Sequence, residues 1–432
     1  MINAISAQTV KSTDLSSIRG ELRVLKISVF LMILFASLNL VALLRLLGTP
    51  GLPPLLLLLY RLMDAIIVIS FLMYCRQRVK VQGTDLLMII FATYPFLIGI
   101  AKGNLSITFA NDTVIYYLFI AKIVIFRTIL LRIQAVTDLD VVFKKLAARL
   151  IFWCALFGLV SLSLALLLLG TSSGRYYQAP AEITFAAALA LAQGKAITYL
   201  VILMIALAAG KRMVMIGLIT IGLFGIFTHA RTRRAAARTL FVTAVLSFIA
   251  VASSLLNSDL VFLDKIMGTA RLVERAVEQS DSLLEIIMYT DPLRFAEYVS
   301  LAPYLTDWSL WLGNGYGFRY GLDYDFAREF GLVTNTDVTN AHFTPLAIVA
   351  KFGSVGLIIW VVFVLRLLVS PAVGRSVLAT ACWLAFISII VQSMFAFSFF
   401  INIFTPFYVA VLNVFGRSAS VPRYKATSVT AT

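Results

Sequence analysis

Apolar residues along this chain are grouped in runs of helix length, separated by short stretches that carry charged residues, glycine or proline. A helix of about 20 apolar residues spans the hydrocarbon core of a bilayer. Five early runs therefore predict membrane-spanning helices. They cover residues 27–47, 52–74, 86–100, 114–131 and 146–169. The first run is too long for the apolar region of a cleaved signal peptide, so we expect an uncleaved span.

The next apolar stretch, 182–209, is interrupted near its middle by Gln193, Gly194 and Lys195. As one span it would put the following arginines outside, against the positive-inside rule. Two short helices, 183–192 and 196–209, would return the chain to the side from which it came and turn those arginines inward. We therefore predict a helical hairpin and expect the arginines to contact anionic lipid. They are Arg231, Arg233, Arg234 and Arg238.

The remaining apolar runs bring the total to twelve, at 213–227, 239–256, 343–365, 377–397 and 401–415. The predicted fold class is all-α, a polytopic membrane protein of about 12 transmembrane helices with one large periplasmic helical loop between spans nine and ten. The predicted regions are an N-terminal membrane bundle (1–256), a periplasmic loop domain (257–341), a C-terminal membrane bundle (342–415) and a cytoplasmic tail (416–432).

Composition agrees with a membrane protein and excludes a soluble, disordered or disulfide-rich chain. Of the 432 residues, 61% are hydrophobic and 13% charged, whereas soluble domains have about 45–50% apolar and about 25% charged residues. The net charge is +15, but residues 257–341 hold 13 of the 21 acidic residues and 6 of the 36 basic ones, a local net charge of −7. The other segments carry +22, mostly on edges that the positive-inside rule assigns to the cytoplasm, so the acidic loop is predicted to face outward.

A few cations remain on the predicted outer side. Lys211 and Arg212 are adjacent at the outer end of span seven. Arginine offers a planar fork of donors and lysine a compact charge, so this pair could bind a phosphate group; the alternative is two side chains that snorkel at a helix end. His342 lies where the loop re-enters the membrane. With an ordinary pKa of about 6.5 it could take a proton from a hydroxyl, or it could simply cap the helix.

The predicted outer loop also contains residues suited to binding a glycan. Arg294 follows Asp291-Pro292, a pair that predicts a helix start. The segment 312–319 has alternate glycines, which permit close approach of the backbone to a ligand, and aromatic residues with flat faces for sugars. The alternative is a glycine-rich turn with aromatics packed at the membrane surface. The candidate substrate-binding residues here are Trp311, Tyr316 and Arg319.

Charged residues inside predicted spans are costly in hydrocarbon and suggest function. Arg61 and Asp64 are three residues apart and could neutralise each other, whereas Lys122 has no acid at helical spacing. Arg127 is a further charge in span four. The cysteines lie in or beside apolar runs and are interpreted as packing residues rather than as disulfides or metal ligands. They are Cys75, Cys154 and Cys382.

Several of these short motifs together resemble the O-antigen polymerase and O-antigen ligase superfamily of bacterial polysaccharide-assembly proteins. They are Gly210-Lys211-Arg212, Arg294 followed by the turn at 313–317, Ala341-His342, and Gly353-Ser354-Val355-Gly356. Two positions depart from the family pattern: Phe343 replaces the usual asparagine, and Lys211-Arg212 replaces the usual Ser-Arg. The second departure resembles the exopolysaccharide-polymerase branch more than the ligases.

The resemblance implies a metal-independent glycosyltransferase without a cofactor, which polymerises undecaprenyl-diphosphate-linked repeat units at the outer face of the bacterial inner membrane. By position in the motifs, it implies catalytic roles for Arg212, Arg294 and His342, with Lys211 helping to hold the diphosphate. The implied partners are the lipid-linked donor and acceptor, the bilayer, and chain-length regulator and export proteins, with no nucleic acid. Reserve bases, which the sequence does not rank, are Asp323, Asp325 and Asp337.

Two other functions stay open. An O-antigen-type ligase would share this chemistry and differ in its acceptor. A lipid-linked oligosaccharide flippase or another secondary transporter would instead use the charges within the spans, such as Arg61, Asp64 and Lys122. Transporters bind their substrates near the midplane at broken helices, and the 85-residue loop has no evident task in that mechanism.

Overall fold

The computed structural model describes residues 18–38, 53–75, 81–167, 183–209, 212–256, 292–322, 337–370, 373–374, 376–396 and 399–418. Within these ranges the chain is mostly α-helical, as predicted. The helices are α1 (Arg19–Leu38), α2 (Pro53–Tyr74), α3 (Gly83–Ala101), α4 (Ile107–Val136), α5 (Leu139–Leu167), α6 (Ile183–Ala192), α7 (Ala196–Ala209), α8 (Arg212–Gly225), α9 (Ala230–Leu256), α10 (Pro292–Leu301), α11 (Asp307–Leu312), α12 (Thr344–Leu368), α13 (Val377–Ser393) and α14 (Thr405–Ser418). Two short strands, β1 (Tyr320–Gly321) and β2 (Asp337–Val338), pair antiparallel, with Tyr320 opposite Val338.

Three of the described helices, α3, α4 and α12, are long and apolar enough to cross a membrane. Shorter apolar helices accompany them, among them α6, α7 and α13. Large apolar side chains on the outside of the bundle, such as Leu72, Ile90 and Ile358, are half or more exposed, which is what contact with lipid requires. The membrane character is therefore supported, whereas the number of twelve spans and the outward orientation of the loop stay predictions.

Several helices begin earlier than the apolar runs predict. The run in α4 was expected at 114–131 but the helix extends from Ile107 to Val136. Helix α5 starts at Leu139 instead of residue 146, and α9 at Ala230 instead of residue 239. Lysine and arginine are good helix formers, so a helix continues through charged turns that end an apolar run. Conversely, α13 ends at Ser393 and α14 begins at Thr405, and the described residues between them, 394–396 and 399–404, form no helix although they belong largely to the apolar runs.

The predicted hairpin is confirmed at the level of its helices, α6 and α7, whose bounds match 183–192 and 196–209. Gly194 in the turn has φ of 75°, a conformation that glycine adopts without steric cost. All ten residues of α6 are buried, and ten residues measure only about 15 Å along a helix. An apolar helix this short is therefore part of the bundle interior rather than a lipid-facing span.

Charged residues within the bundle form ion pairs. Asp64 accepts from Lys122 at 2.7 Å and from Arg61 at 3.3 Å, so the predicted Arg61–Asp64 pair is confirmed and Lys122 joins it from another helix. Arg127 makes a two-pronged contact with Asp85, and both side chains are buried. Removing one partner of a buried pair costs about 3–5 kcal/mol, which is sufficient reason for α2, α3 and α4 to keep their register.

Helix α13 sets the geometry of the bundle around the site. It runs antiparallel to α8: Gly217 of α8 packs against Gln392, while at the other end the rings of Phe224 and Trp383 lie 6.2 Å apart. The 17 residues of α13 give it a length of about 25 Å. Its carboxyl end therefore lies beside the start of α8, and its amino end lies at the opposite face of the bundle.

Candidate functional site

The glycine-rich segment of the loop lies directly on the bundle. Gly313, Gly315 and Gly317 all have φ between 77° and 80°. A Cβ added at Gly313 would come within 2.3 Å of the Lys351 carbonyl oxygen, and one at Gly317 within 2.4 Å of that of Asn104. Only glycine permits such an approach. The sequence predicted that these glycines admit a ligand, but in the described structure they admit protein backbone.

A kink in α12 provides partners for this segment. Gly353 interrupts the helix with φ of 64° and ψ of −173°, which leaves carbonyl groups of the preceding turn without helical donors. The amide of Asn314 donates to the Ala350 carbonyl at 2.9 Å, and that of Gly315 to the Lys351 carbonyl at 3.0 Å. The Gly353-Ser354-Val355-Gly356 motif therefore docks the loop onto a membrane helix.

A buried ion pair below the glycine segment fixes the same junction. Lys351 donates to both carboxylate oxygens of Asp112, at 2.8 and 2.7 Å, and to the side-chain oxygen of Asn340 at 2.7 Å. Asp112 also accepts the amide of Gly317 at 3.0 Å. Both charged side chains are about 1% exposed. We call Asp112 and Lys351, with Asn340 and Gly317, the buried anchor, because its members hold α4, α12 and the loop together.

Tyr316, expected to bind substrate, is wholly buried. Its ring stacks on Tyr116 at a centroid distance of 5.1 Å and an angle of 6°, and meets Phe352 edge-on. Burial raises the pKa of its hydroxyl well above the ordinary value. A sugar could reach this ring only if the loop left the bundle. In the described structure Tyr316 therefore packs the loop onto the helices and is not positioned to contact a substrate.

The other predicted loop residues lie nearer the surface. Trp311, on α11, is 55% exposed and Trp308 on the same helix is 78% exposed. Arg319 is exposed and donates a hydrogen bond to the hydroxyl of Thr108 at the start of α4. The exposed tryptophans therefore retain flat faces for a glycan or for the membrane surface, and Arg319 is oriented by α4.

His342 and Arg294, far apart in sequence, are brought together by Glu297. Helix α10 begins at Pro292, as predicted, and places Arg294 and Glu297 one turn apart. The Glu297 carboxylate contacts Nδ1 of His342 through one oxygen and accepts the His342 backbone amide at 2.9 Å through the other. Glu297 is 1% exposed while the imidazole is 55% exposed. A buried carboxylate thus orients a half-exposed histidine. We call Arg294, Glu297 and His342 the Arg–Glu–His cluster.

The hydrogen bond to Glu297 determines the state of the imidazole. Because an ionised carboxylate only accepts, Nδ1 carries the proton in the neutral ring, and Nε2 is left as an acceptor. No hydrogen bond of Nε2 is recorded within the described residues. The bond to Glu297 raises the pKa of His342, against burial and the positive charge of Arg294, which lower it. The geometry is that of a general base whose conjugate acid is stabilised by a carboxylate.

Arg294 points toward the segment that follows α13. Its guanidinium donates to the Phe395 carbonyl and lies 6.0 Å from the centre of the Phe395 ring. Thr344, the first residue of α12, donates to the next carbonyl, that of Ala396, at 2.8 Å. Partial burial lowers the pKa of Arg294 and Glu297 opposes that effect. The carboxyl end of α13 therefore adjoins the Arg–Glu–His cluster.

Arg212 begins α8 at this same end of the bundle. It precedes Gly217, which packs on Gln392, by five residues, or about 7.5 Å along the helix axis. Phe395, the acceptor for Arg294, is three residues beyond Gln392. The start of α8 and the Arg–Glu–His cluster thus lie at one end of the bundle. The side chain of Arg212, and all of Lys211, Asp323 and Asp325, lie outside the described residues, as does the side chain of Asp337.

Within the part of the chain that the structure describes, no group of three or more His, Cys, Asp or Glu side chains could hold a metal ion. The sequence pattern did not single out Glu297, although it lies three residues after Arg294 on a predicted helix, where the two side chains share a face.

No protein-family model matches the sequence, and a search of curated proteins finds no match.

Proposed function

We propose that this protein is a membrane glycosyltransferase that polymerises undecaprenyl-diphosphate-linked oligosaccharide repeat units into a surface or secreted polysaccharide, at the outer face of the bacterial inner membrane. The observation that supports the proposal is the Arg–Glu–His cluster at the end of the bundle where α8 begins: a half-exposed histidine is oriented by a buried carboxylate, and Arg294 lies one helical turn before that carboxylate. A transfer of sugar from a diphosphate needs a base for the acceptor and positive charge for the leaving group.

The reaction assigns one task to each group. Nε2 of His342 removes the proton from an acceptor hydroxyl, and that oxygen attacks the anomeric carbon of the donor sugar. The bond between that carbon and the phosphate oxygen breaks with its electron pair going to the oxygen, so the lipid diphosphate departs with increased negative charge. Preorganised cations that face such developing charge lower the barrier. Arg212, Lys211 and Arg294 serve that purpose, and Glu297 stabilises the imidazolium.

Arg294 must exchange partners when the donor binds. In the arrangement described above its guanidinium donates to the Phe395 carbonyl, a neutral acceptor. A phosphate group carries negative charge and can accept two parallel N–H bonds from one guanidinium, neither of which a single carbonyl oxygen offers. We expect the donor diphosphate to replace that carbonyl, with Lys211 and Arg212 reaching it from the start of α8.

The proposal is tested by substituting Arg212, Arg294 and His342 one at a time by alanine in the native host and measuring the glycan. A polymerase predicts loss of long chains while single lipid-linked repeats are still exported, because a general base and each charge-stabilising group contribute about 10²–10⁴-fold. Arg366→Ala and His229→Ala are matched controls: Arg366 is an exposed arginine in the last turn of α12 and His229 lies before α9.

The other outcomes separate the alternative functions. Normal chain lengths in all three variants would contradict the site assignment. Full-length polymer that is made but not transferred to its final acceptor would indicate a ligase. Repeats trapped on the cytoplasmic side would indicate a flippase, for which Arg61, Asp64 and Lys122 would then need a second arrangement of their ion pairs.

A further inference from the structure

We infer that the face of the bundle opposite the Arg–Glu–His cluster contains a binding pocket for a phosphate-bearing anionic lipid. A cavity of about 450 Å³ opens there between α5, the α6–α7 turn, α9 and the start of α13. Its volume lies in the range of small-molecule sites, about 300–1,000 Å³. Val377 and Leu378 line it, and α13 measures about 25 Å, so the pocket and the cluster occupy opposite ends of one helix.

Three cations surround the opening: Lys144 of α5, Lys195 in the hairpin turn and Arg231 of α9. All three are exposed, and no ion pair is recorded for them within the described residues. They come from three separate elements, so their convergence is a property of the fold. Gly194 fixes one part of it, because a Cβ there would come within 3.0 Å of the Arg231 side chain. A glycine turn thus holds the aliphatic stem of Arg231 against the pocket rim.

Among the described residues that line the pocket there is one carboxylate, Asp140, and it is already hydrogen-bonded. It accepts the Ser376 hydroxyl at 2.7 Å and the backbone amides of Val377 and Leu378 at 3.2 and 3.0 Å. Asp140 therefore caps α13, where a negative charge is favoured by the helix dipole, and does not pair with the three cations. The rim carries an excess of positive charge that a phosphate group would neutralise.

The inner wall of the same cavity is apolar, formed by Val141, Phe143, Ala147, Ala148 and Leu189. A free phosphate ion would contact only the rim and leave this wall against water. A lipid places its phosphate at the rim and its chain along the wall, which uses both parts of the site. Lysine and arginine near a membrane surface attract anionic lipid with about 1 kcal/mol each.

The test uses the full-length protein in neutral detergent and measures its thermal unfolding midpoint during titration with phosphatidylglycerol, phosphatidylcholine or inorganic phosphate. We expect phosphatidylglycerol to raise the midpoint saturably, while the other two have little effect. In the triple variant Lys144→Gln, Lys195→Gln, Arg231→Gln, affinity for phosphatidylglycerol should fall by about 10- to 100-fold. The matched control Arg233→Gln, Arg234→Gln, Arg238→Gln removes the same charge from outside the pocket, so it loses only the diffuse attraction of a basic surface and should weaken binding at least about fivefold less than the pocket variant does.

A second variant keeps every charge and fills the cavity. Ala148 is exposed on the apolar wall, so Ala148→Phe should leave the fold intact and abolish lipid stabilisation. Equal losses in the two triple variants would overturn the proposal in favour of diffuse attraction by the basic face. Equal stabilisation by inorganic phosphate would overturn it in favour of a free-anion site, and equal stabilisation by phosphatidylcholine would exclude recognition of charge.

Discussion

The buried anchor and the Arg–Glu–His cluster both join the loop to the start of α12, yet they differ in how completely their charges are satisfied. Lys351 donates to both oxygens of Asp112, and each side chain is about 1% exposed. In the cluster only the carboxylate is buried, while the imidazole is 55% exposed and no hydrogen bond of its Nε2 is found among the described residues. The buried anchor has no group left to react, so it holds the junction, whereas the Arg–Glu–His cluster offers a half-exposed imidazole for the proposed reaction.

Breaking the anchor should have the largest effect on folding. Lys351→Met leaves Asp112 buried without its counter-charge, and we expect a loss of about 3–5 kcal/mol in stability. His342→Ala leaves the buried Glu297 carboxylate with the backbone amide of residue 342 as a remaining donor, so it should cost less, about 1–3 kcal/mol. Thermal unfolding of the detergent-solubilised variants measures both.

The double variant Asp112→Asn, Lys351→Met distinguishes charge from packing. It removes both charges and keeps an acceptor for the Gly317 amide, so it should recover most of the stability lost by the single variant. If Lys351→Met unfolds at the same temperature as the wild type, the anchor does not hold the loop, and the distinction between the two regions fails.

The sequence could predict the local parts of this architecture and not the long-range ones. The hairpin helices and the start of α10 at Pro292 follow from nearby signals, namely an interrupted apolar run and an Asp-Pro pair. Asp112 and Lys351 are 239 residues apart, and no spacing rule connects them. Likewise, alternate glycines indicate that the backbone approaches another group closely, but they do not identify that group. The glycine pattern therefore could not predict the packing of Tyr316 on Tyr116.

Glu297→Gln should have the next largest effect, on activity rather than folding. The glutamine amide would donate to Nδ1, so the imidazole would carry its proton on Nε2, the wrong nitrogen for a base. An analogous loss of the correct tautomer lowers kcat by about 10⁴-fold in serine proteases, and we expect a loss of about 10²–10⁴-fold in polymer formation. His342→Ala in the same background should add little further loss, because the two groups act as a unit.

The pH profile gives a second readout of that variant. Because Glu297 raises the pKa of His342, the neutral base predominates only above the raised value, so wild-type activity should fall with decreasing pH from above 6.5. In Glu297→Gln this acid limb, the fall of activity with decreasing pH, should move to lower pH. The ion pair stabilises the fold fully below the ordinary histidine pKa, and that contribution is lost as pH rises through the raised one. An unchanged limb would show that His342 is not the titrating group.

The smallest effects should come from the aromatic residues of the loop. Trp311 is exposed and Tyr316 is buried, so Trp311→Ala should raise the KM for the lipid-linked acceptor severalfold, since stacking on one aromatic face contributes about 1 kcal/mol. Tyr316→Phe should leave kcat and KM unchanged, because its hydroxyl has no hydrogen-bond partner in the described structure and the ring remains stacked. A large effect of Tyr316→Phe on KM would instead indicate that the Tyr316 hydroxyl contacts the substrate, as the sequence predicted.

The proposed mechanism is tested most directly by reconstituting the purified protein with lipid-diphosphate-linked repeat units and measuring polymer length in the presence of EDTA. We expect the wild type to form polymer and to release lipid diphosphate without a divalent ion. The His342→Ala and Arg294→Ala proteins should remain folded at the assay temperature and form polymer at least about 10²-fold more slowly. Polymer at the wild-type rate from folded His342→Ala, or no polymer from the wild type under conditions where its substrate is intact, would contradict this mechanism.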